Sequence, residues 1–291
     1  MHPTLADRPR TALQRLGKVV AGQPQAIGDG FNATHFSEEM FDGGMDPLLM
    51  VDDFVMTAPT FAPHLHAGIS AVTAMFEDST GAFRNRDTLG HDLGLVAGDL
   101  YWLTAARGAV HEEQPDQGAR THALQIFVNL PGGRKHEPAR ALHVTADAVP
   151  VIETARQRVR VVLGSSNGVA GAQRQPEDMT LLDGFLGPDA RFAHRIPAGH
   201  QAWIYAVSGE LALRLGEEER VLQAGSATTV GAGDEATLDL AAAGCTHFVL
   251  IAARPVREAF VKHGPLVMSS LADVRRTLVD YAQGRFGRIA G

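Results

Sequence analysis

The sequence predicts an all-β protein of two tandem barrel-like units, closed by a single C-terminal helix. Three observations carry that expectation. Short apolar strand patterns recur through most of the chain, separated by Gly, Pro, Asn and Asp as in sandwiches and barrels. A strand–turn–strand pattern in the first half returns in the second. Helical periodicity appears only after residue 269.

The elements follow in order. Strand-like patterning marks "LLMVDDFVM" (48–56), "GISAVTAMF" (68–76) and "HALQIFVNL" (122–130) in the first half. In the second half it marks "RVRVVLG" (158–164), "AWIYAVSGELALRL" (202–215) and "THFVLIAA" (246–253). The repeat pairs "ISAVTAMFEDSTGAFRNRD", "GLVAGDLYWLTAARG" and "ALQIFVNLP" with "AWIYAVSGELALRLGEEER", "LQAGSATTVGAGDE" and "THFVLIAARP". The polar, Pro-containing stretch 131–150 is the expected join. Four segments result: an arm over 1–30, a first unit over 31–140, a second over 141–268, and a helix with its tail over 269–291. Leu271, Val274, Leu278 and Tyr281 fall on one helical face, Ser270 and Asp273 suit its start, and Gly284 its stop.

Composition narrows the function. The 291 residues are 45% apolar and 20% charged, which supports a packed core rather than disorder. The net charge is -7 with no basic block, so a nucleic-acid partner is not expected. Cys245 is the sole cysteine, so intrachain disulfides and cysteine-rich zinc sites are excluded; it is expected to be a small buried residue. No apolar run is long enough to span a membrane, and the first residues lack a signal-peptide pattern. A cytoplasmic location is the corresponding expectation.

The chemistry concentrates in two short motifs. In "FAPHLHAGISAVTAMF" (61–76), His64 and His66 stand two apart, which puts both imidazoles on one face of a strand. In "ARGAVHEEQP" (106–115), His111 and Glu113 repeat that spacing while Glu112 points away. An isolated H-x-H is more often a surface feature than a ligand pair. Two such pairs on neighbouring strands can converge, and three imidazoles with a carboxylate suit a divalent first-row metal. Fe(II), Mn, Ni, Cu, Co and Zn all accept that set. Glu113 then serves as ligand or as base.

From about residue 30 to 287 the chain resembles the pirins, bicupin proteins of the cupin superfamily. The segments carrying the resemblance are "DPLLMVDDF" (46–54), "PHLHAG" (63–68), "RDTLG" (86–90), "AGDLYWLTAARGAVHEE" (97–113) and "LQIFVNLP" (124–131). "VREAFVKHGPLVMSS" (256–270) and "DYAQGRFGR" (280–288) extend it. The resemblance implies two tandem cupin (jelly-roll-like) β-barrels packed face to face, with a C-terminal helix. It implies one metal, commonly iron, in the first barrel, held by His64, His66, His111 and Glu113. It also implies quercetin 2,3-dioxygenase activity on a flavonol-like substrate or, alternatively, regulation through a bound partner protein. The chain departs from the family's H-P-H-R-G-F-E and H-R-D-S-x-G patterns at Leu65, Ala67, Ser70 and Asn85. All four implied ligands remain, and the expected change is in the surroundings that tune such a site.

The second unit is expected to lack a metal. "IPAGHQAWIYAVSGE" offers only His200, read as a polar barrel-mouth residue, and "AGSATTVGAGDE" has no histidine. His91, His122 and His194 are likewise unpaired, and His247 and His263 are read as structural. Arg107 and Asp99 are expected in turns, and Tyr101 and Trp102 in the core. Phe61, Met75 and Phe76 are expected in the core or over the metal. Oligomeric state is left open by the sequence.

Overall fold

In the computed structural model, which describes residues 14–172 and 176–289, the strands follow the sequence pattern. They include Leu48–Met56, Ile69–Met75, Thr121–Asn129, Gln157–Leu163 and Thr246–Ala253. The 202–215 run divides at Gly209 into Gln201–Ser208 and Glu210–Leu215. Gly209 has φ +76°, and a Cβ there would lie 2.4 Å from the Cys245 carbonyl oxygen, so the turn requires glycine.

Each unit pairs a seven-stranded antiparallel sheet with a four-stranded one. In the first unit the large sheet has Ile69–Met75, Thr121–Asn129 and Leu48–Met56 at its centre. The small sheet carries both histidine motifs, on His64–His66 and Ala109–Pro115, beside Phe83–Asp87 and Asp92–Leu95. The second unit repeats the plan, with Gln201–Ser208 and Thr246–Ala253 central in its large sheet. The chain near its start ties the two together. Val20–Ala21 joins the second large sheet, while Gln23–Ile27 edges the first. Arg140–Val144 still pairs with Leu100–Thr104 in the first sheet. Residues 1–13 of the expected arm lie outside the described residues.

One apolar cluster joins the two large sheets. Phe36, Val51, Trp102 and Ile126 from the first meet Leu181, Trp203, Tyr205 and Ile251 from the second. A separate cluster fills each barrel. The large sheets are therefore buried on both faces, which explains why Ile69–Met75 is buried throughout and reads as a near-continuous apolar run. Tyr101 and Trp102 are core residues, as expected.

The C-terminal helix forms as expected, and one sequence expectation, the burial of Cys245, needs correction. The helix spans Leu271–Ala282, with the Ser270 hydroxyl capping the Asp273 amide and Gly284 at φ +71° just beyond its end. Its apolar face is only partly used: Val274 and Thr277 are buried, whereas Leu271, Leu278 and Tyr281 are exposed. The helix lies on a narrow ridge of Leu65, Val110, Leu266 and Met268, too small to cover the whole stripe. Cys245 is exposed, because it sits in the turn immediately before Thr246–Ala253.

The second barrel is packed with Leu182, Phe192, Ile204, Leu213, Leu240 and Phe248, and His194 is buried on the same strand face as Phe192. His194 contacts the Ser166 hydroxyl through Nδ1 at 3.0 Å, and its Nε2 has no partner among the described residues. Burial lowers its pKa to about 4. The unfolded chain, with an ordinary value, takes up a proton first as pH falls, so this site's stability is intact above about 6.5 and lost toward about 4. The loss amounts to up to about 3 kcal/mol. Denaturant titrations between those limits should show it, and His194→Met should flatten the acid slope.

Candidate metal centre

Register brings the two motifs together. Strands His64–His66 and Ala109–Pro115 are antiparallel neighbours, with His64 opposite His111 and His66 opposite Ala109. Period-two alternation aims His64, His66, His111 and Glu113 into the barrel. Glu112 takes the other face and pairs with Arg86, as the spacing predicts. Gly68, at φ +75°, lets the chain reverse directly after the first motif. A Cβ there would lie 1.8 Å from the Val267 carbonyl oxygen. Lys135 clamps the same turn. Its buried ammonium donates to the carbonyls of Gly68 (3.1 Å) and Val267 (2.7 Å) and to Asn129 Oδ1 (2.6 Å).

The imidazoles of His64, His66 and His111 each offer a nitrogen, and the three atoms lie within 4.8 Å of one another. Ring centroids are 4.8 Å apart in all three pairs. Burial keeps the rings uncharged. It lowers His66 to about 3, with His64 nearby acting in the same direction and the Pro265 backbone opposing. His111 falls well below its ordinary value through burial and its two histidine neighbours. His64, less enclosed, is lowered by burial against a bond to the Ala62 carbonyl. Neutral imidazole is the metal-binding form. The Nε2 atoms of His66 and His111 face each other at 2.9 Å, and His111 Nδ1 has no partner among the described residues. Two facing lone pairs repel unless a proton or a cation lies between them. The donor set therefore fits a metal ion.

Glu113 is not one of those three. It lines the same cavity, where the Thr73 hydroxyl donates to Oε1 at 2.5 Å. Burial pushes its carboxyl up to about 7, with the Thr73 bond pulling the other way. The cavity measures about 240 Å³, and Phe31, Phe54, Phe61, Phe83 and Phe127 line it. Phe127 meets the His66 ring edge-on at 5.0 Å. Of the three apolar residues expected near the metal or in the core, Phe61 lines the cavity, while Met75 and Phe76 belong to the core clusters. Thr73, Phe127 and Lys135 were not singled out by the sequence. Thr73 has only its place on the inner face of a strand as a signal, and Lys135 has none.

The four departures from the family pattern separate in space. Leu65 and Ala67 pack outward with Val110, Leu266 and Met268 beneath the C-terminal helix, away from the imidazoles. The Ser70 hydroxyl lies near Thr104 and Glu177. Only Asn85 touches the site's surroundings, opposite Glu113 in register and beside the Tyr101 hydroxyl. Among the described residues no comparable cluster forms in the second barrel. His200 pairs there with Asp178 at 3.1 Å and His247 with Asp183 at 2.6 Å. Arg107 is exposed in its turn, and Asp99 accepts the Ala146 amide and faces His143.

Comparison with known proteins agrees with this architecture. Residues 9–128 match the Pirin family model, and residues 181–287 match the Pirin C-terminal cupin domain. A candidate quercetin 2,3-dioxygenase of Pseudomonas aeruginosa is 31% identical over 276 residues, covering 90% of this chain and 94% of that protein. The chain belongs to the pirin family. Human Pirin is 29% identical over 244 residues, 84% of this pirin-family chain and 83% of its own. A solved quercetin 2,3-dioxygenase from Acinetobacter baumannii superposes with a TM-score of 0.82 at 24% identity. It covers 96% of this chain and all of that one (100%), and shares the bicupin fold. A bacterial pirin from Escherichia coli, solved in complex with nickel(II), superposes at 0.61 with 20% identity over 84% of this chain and 100% of that one.

Proposed function

We propose that this chain is a metal-dependent oxygenase acting on a flavonol-like aromatic. His64, His66 and His111 hold one divalent metal, preferably Fe(II), and Glu113 is a fourth ligand or the base. The observation that carries the reading is the convergence of three uncharged imidazoles at the wall of a phenylalanine-lined cavity. Mn, Ni, Cu, Co and Zn suit the same donors. Such an ion, when bound, supplies Lewis acidity to adjacent substrate oxygens and, if redox-active, a route for dioxygen.

The protein's own groups do the rest. Phenylalanine faces receive the aromatic rings and exclude water. The Glu113 carboxylate accepts the proton of the substrate hydroxyl, and the Thr73 hydroxyl fixes its orientation. Anaerobic reconstitution with Fe(II), followed by flavonol and O2, tests the reading. O2 uptake in step with flavonol loss is expected, with Glu113→Gln slowed by about 100-fold or more. A metal-replete protein that consumes no O2 with any of several flavonols would refute it.

A second reading, regulation of a partner protein without turnover, draws on the exposed Leu271, Leu278, Val279 and Tyr281 of the C-terminal helix. A cytoplasmic site of action belongs to either reading. No helix among the described residues is long and apolar enough to cross a membrane.

A further inference from the structure

The cavity has a second polar feature, outside the imidazole cluster. His35, Asp52, Gln125 and Thr73 are successive Cα partners on four neighbouring strands of the first large sheet. Directly paired residues share a face, and Asp52 and Gln125 both line the cavity. The row begins at Thr73, whose hydroxyl meets Glu113, and passes Gln125, whose Oε1 lies 3.2 Å from that hydroxyl. It ends at His35, nearer the surface. His35 Nδ1 donates to Asp52 Oδ1 at 2.6 Å, while Asp52 Oδ2 has no partner among the described residues. Asp52 is buried, so this oxygen is a strong acceptor in surroundings dominated by phenylalanine and methionine. Two inter-strand steps put Asp52 about 10 Å from Thr73.

We propose that Asp52 selects the substrate from the large-sheet wall of the cavity, by accepting a hydrogen bond from a phenolic hydroxyl. The inference rests on the flavonol reading above and narrows its substrate class. The preferred ligand has two linked rings, with adjacent oxygens at the imidazoles and, on the second ring, a remote hydroxyl that faces Asp52. A ligand lacking the remote hydroxyl displaces water from Asp52 and returns no donor, which penalises it. His35 is a positioning residue that fixes the carboxylate's orientation.

Anaerobic titration of Ni(II)-loaded protein with 3-hydroxyflavone and with 3,4′-dihydroxyflavone, read from the flavonol absorption band, tests this. Wild type is expected to bind the dihydroxy ligand about tenfold tighter or more. Asp52→Leu should bring that ratio near unity with nickel content unchanged. Asp52→Asn, which keeps the side chain's shape, should lower the ratio in the same direction. An equal preference retained by both variants, or none in wild type, overturns the assignment while binding of either flavonol preserves the broader reading. Binding of neither flavonol to nickel-replete wild type overturns both.

Discussion

His111→Ala is expected to abolish stoichiometric metal binding. The three imidazole nitrogens lie within 4.8 Å of one another, and His111 is the member supplied by the second motif. Without it His64 and His66 remain as a two-nitrogen site on one short strand. Loss of a supporting residue around a metal costs about 10–100-fold in affinity, so loss of a direct ligand should exceed that. Metal analysis of freshly purified protein and calorimetric titration with Ni(II) measure it. Glu112→Gln is the matched control, because Glu112 lies on the opposite face and pairs with Arg86. Equal metal in wild type, His111→Ala and His66→Ala would rule out the site.

Asp183→Asn should produce the largest loss of stability. The buried Arg160 guanidinium donates to Asp183 Oδ2 at 2.9 Å and reaches across the interface to the Gly98 carbonyl of the first unit. Asp183 Oδ1 accepts from His247 Nε2 at 2.6 Å, and the His247 ring meets Phe76 of the first unit edge-on. Burial alone would raise the Asp183 carboxyl. His247 and Arg160 outweigh it and hold it below the ordinary range. Neutralising Asp183 removes the closer of the buried guanidinium's two counter-charges and leaves only the half-exposed Glu77 at 3.7 Å, a loss of up to about 3–5 kcal/mol. Calorimetry should register a fall in Tm of up to roughly 5–8 °C. Metal content should be unchanged, since no residue of this network belongs to the imidazole cluster. Replacing Arg160 and Asp183 together by leucine should recover much of the loss.

The placement of the candidate site was legible in the sequence to an unusual depth, because period-two alternation is local. H-x-H and H-x-E fix which side chains share a face, and that put His64, His66, His111 and Glu113 inside while sending Glu112 out. Lys135 and Thr73 were not legible, because their roles depend on partners brought near by folding. Lys135 reaches a carbonyl on Val267, far along the chain. Asp52 matters through a row that spans four strands, and no short segment records which strands become neighbours.

The sequence by itself determined the all-β class, the tandem repeat and the one-sided display of the two histidine motifs. Each follows from spacings of a few residues. Tertiary structure decided which expected effects were real. Leu65 and Ala67, which the family pattern places beside the metal motif, point outward under the C-terminal helix, leaving Asn85 as the departure beside Glu113. The helix buries Val274 and Thr277 and leaves Leu278 and Tyr281 exposed, because the surface beneath it, not its own periodicity, sets how much apolar face is covered. Register and packing are properties of residues distant in sequence, and only the folded chain specifies them.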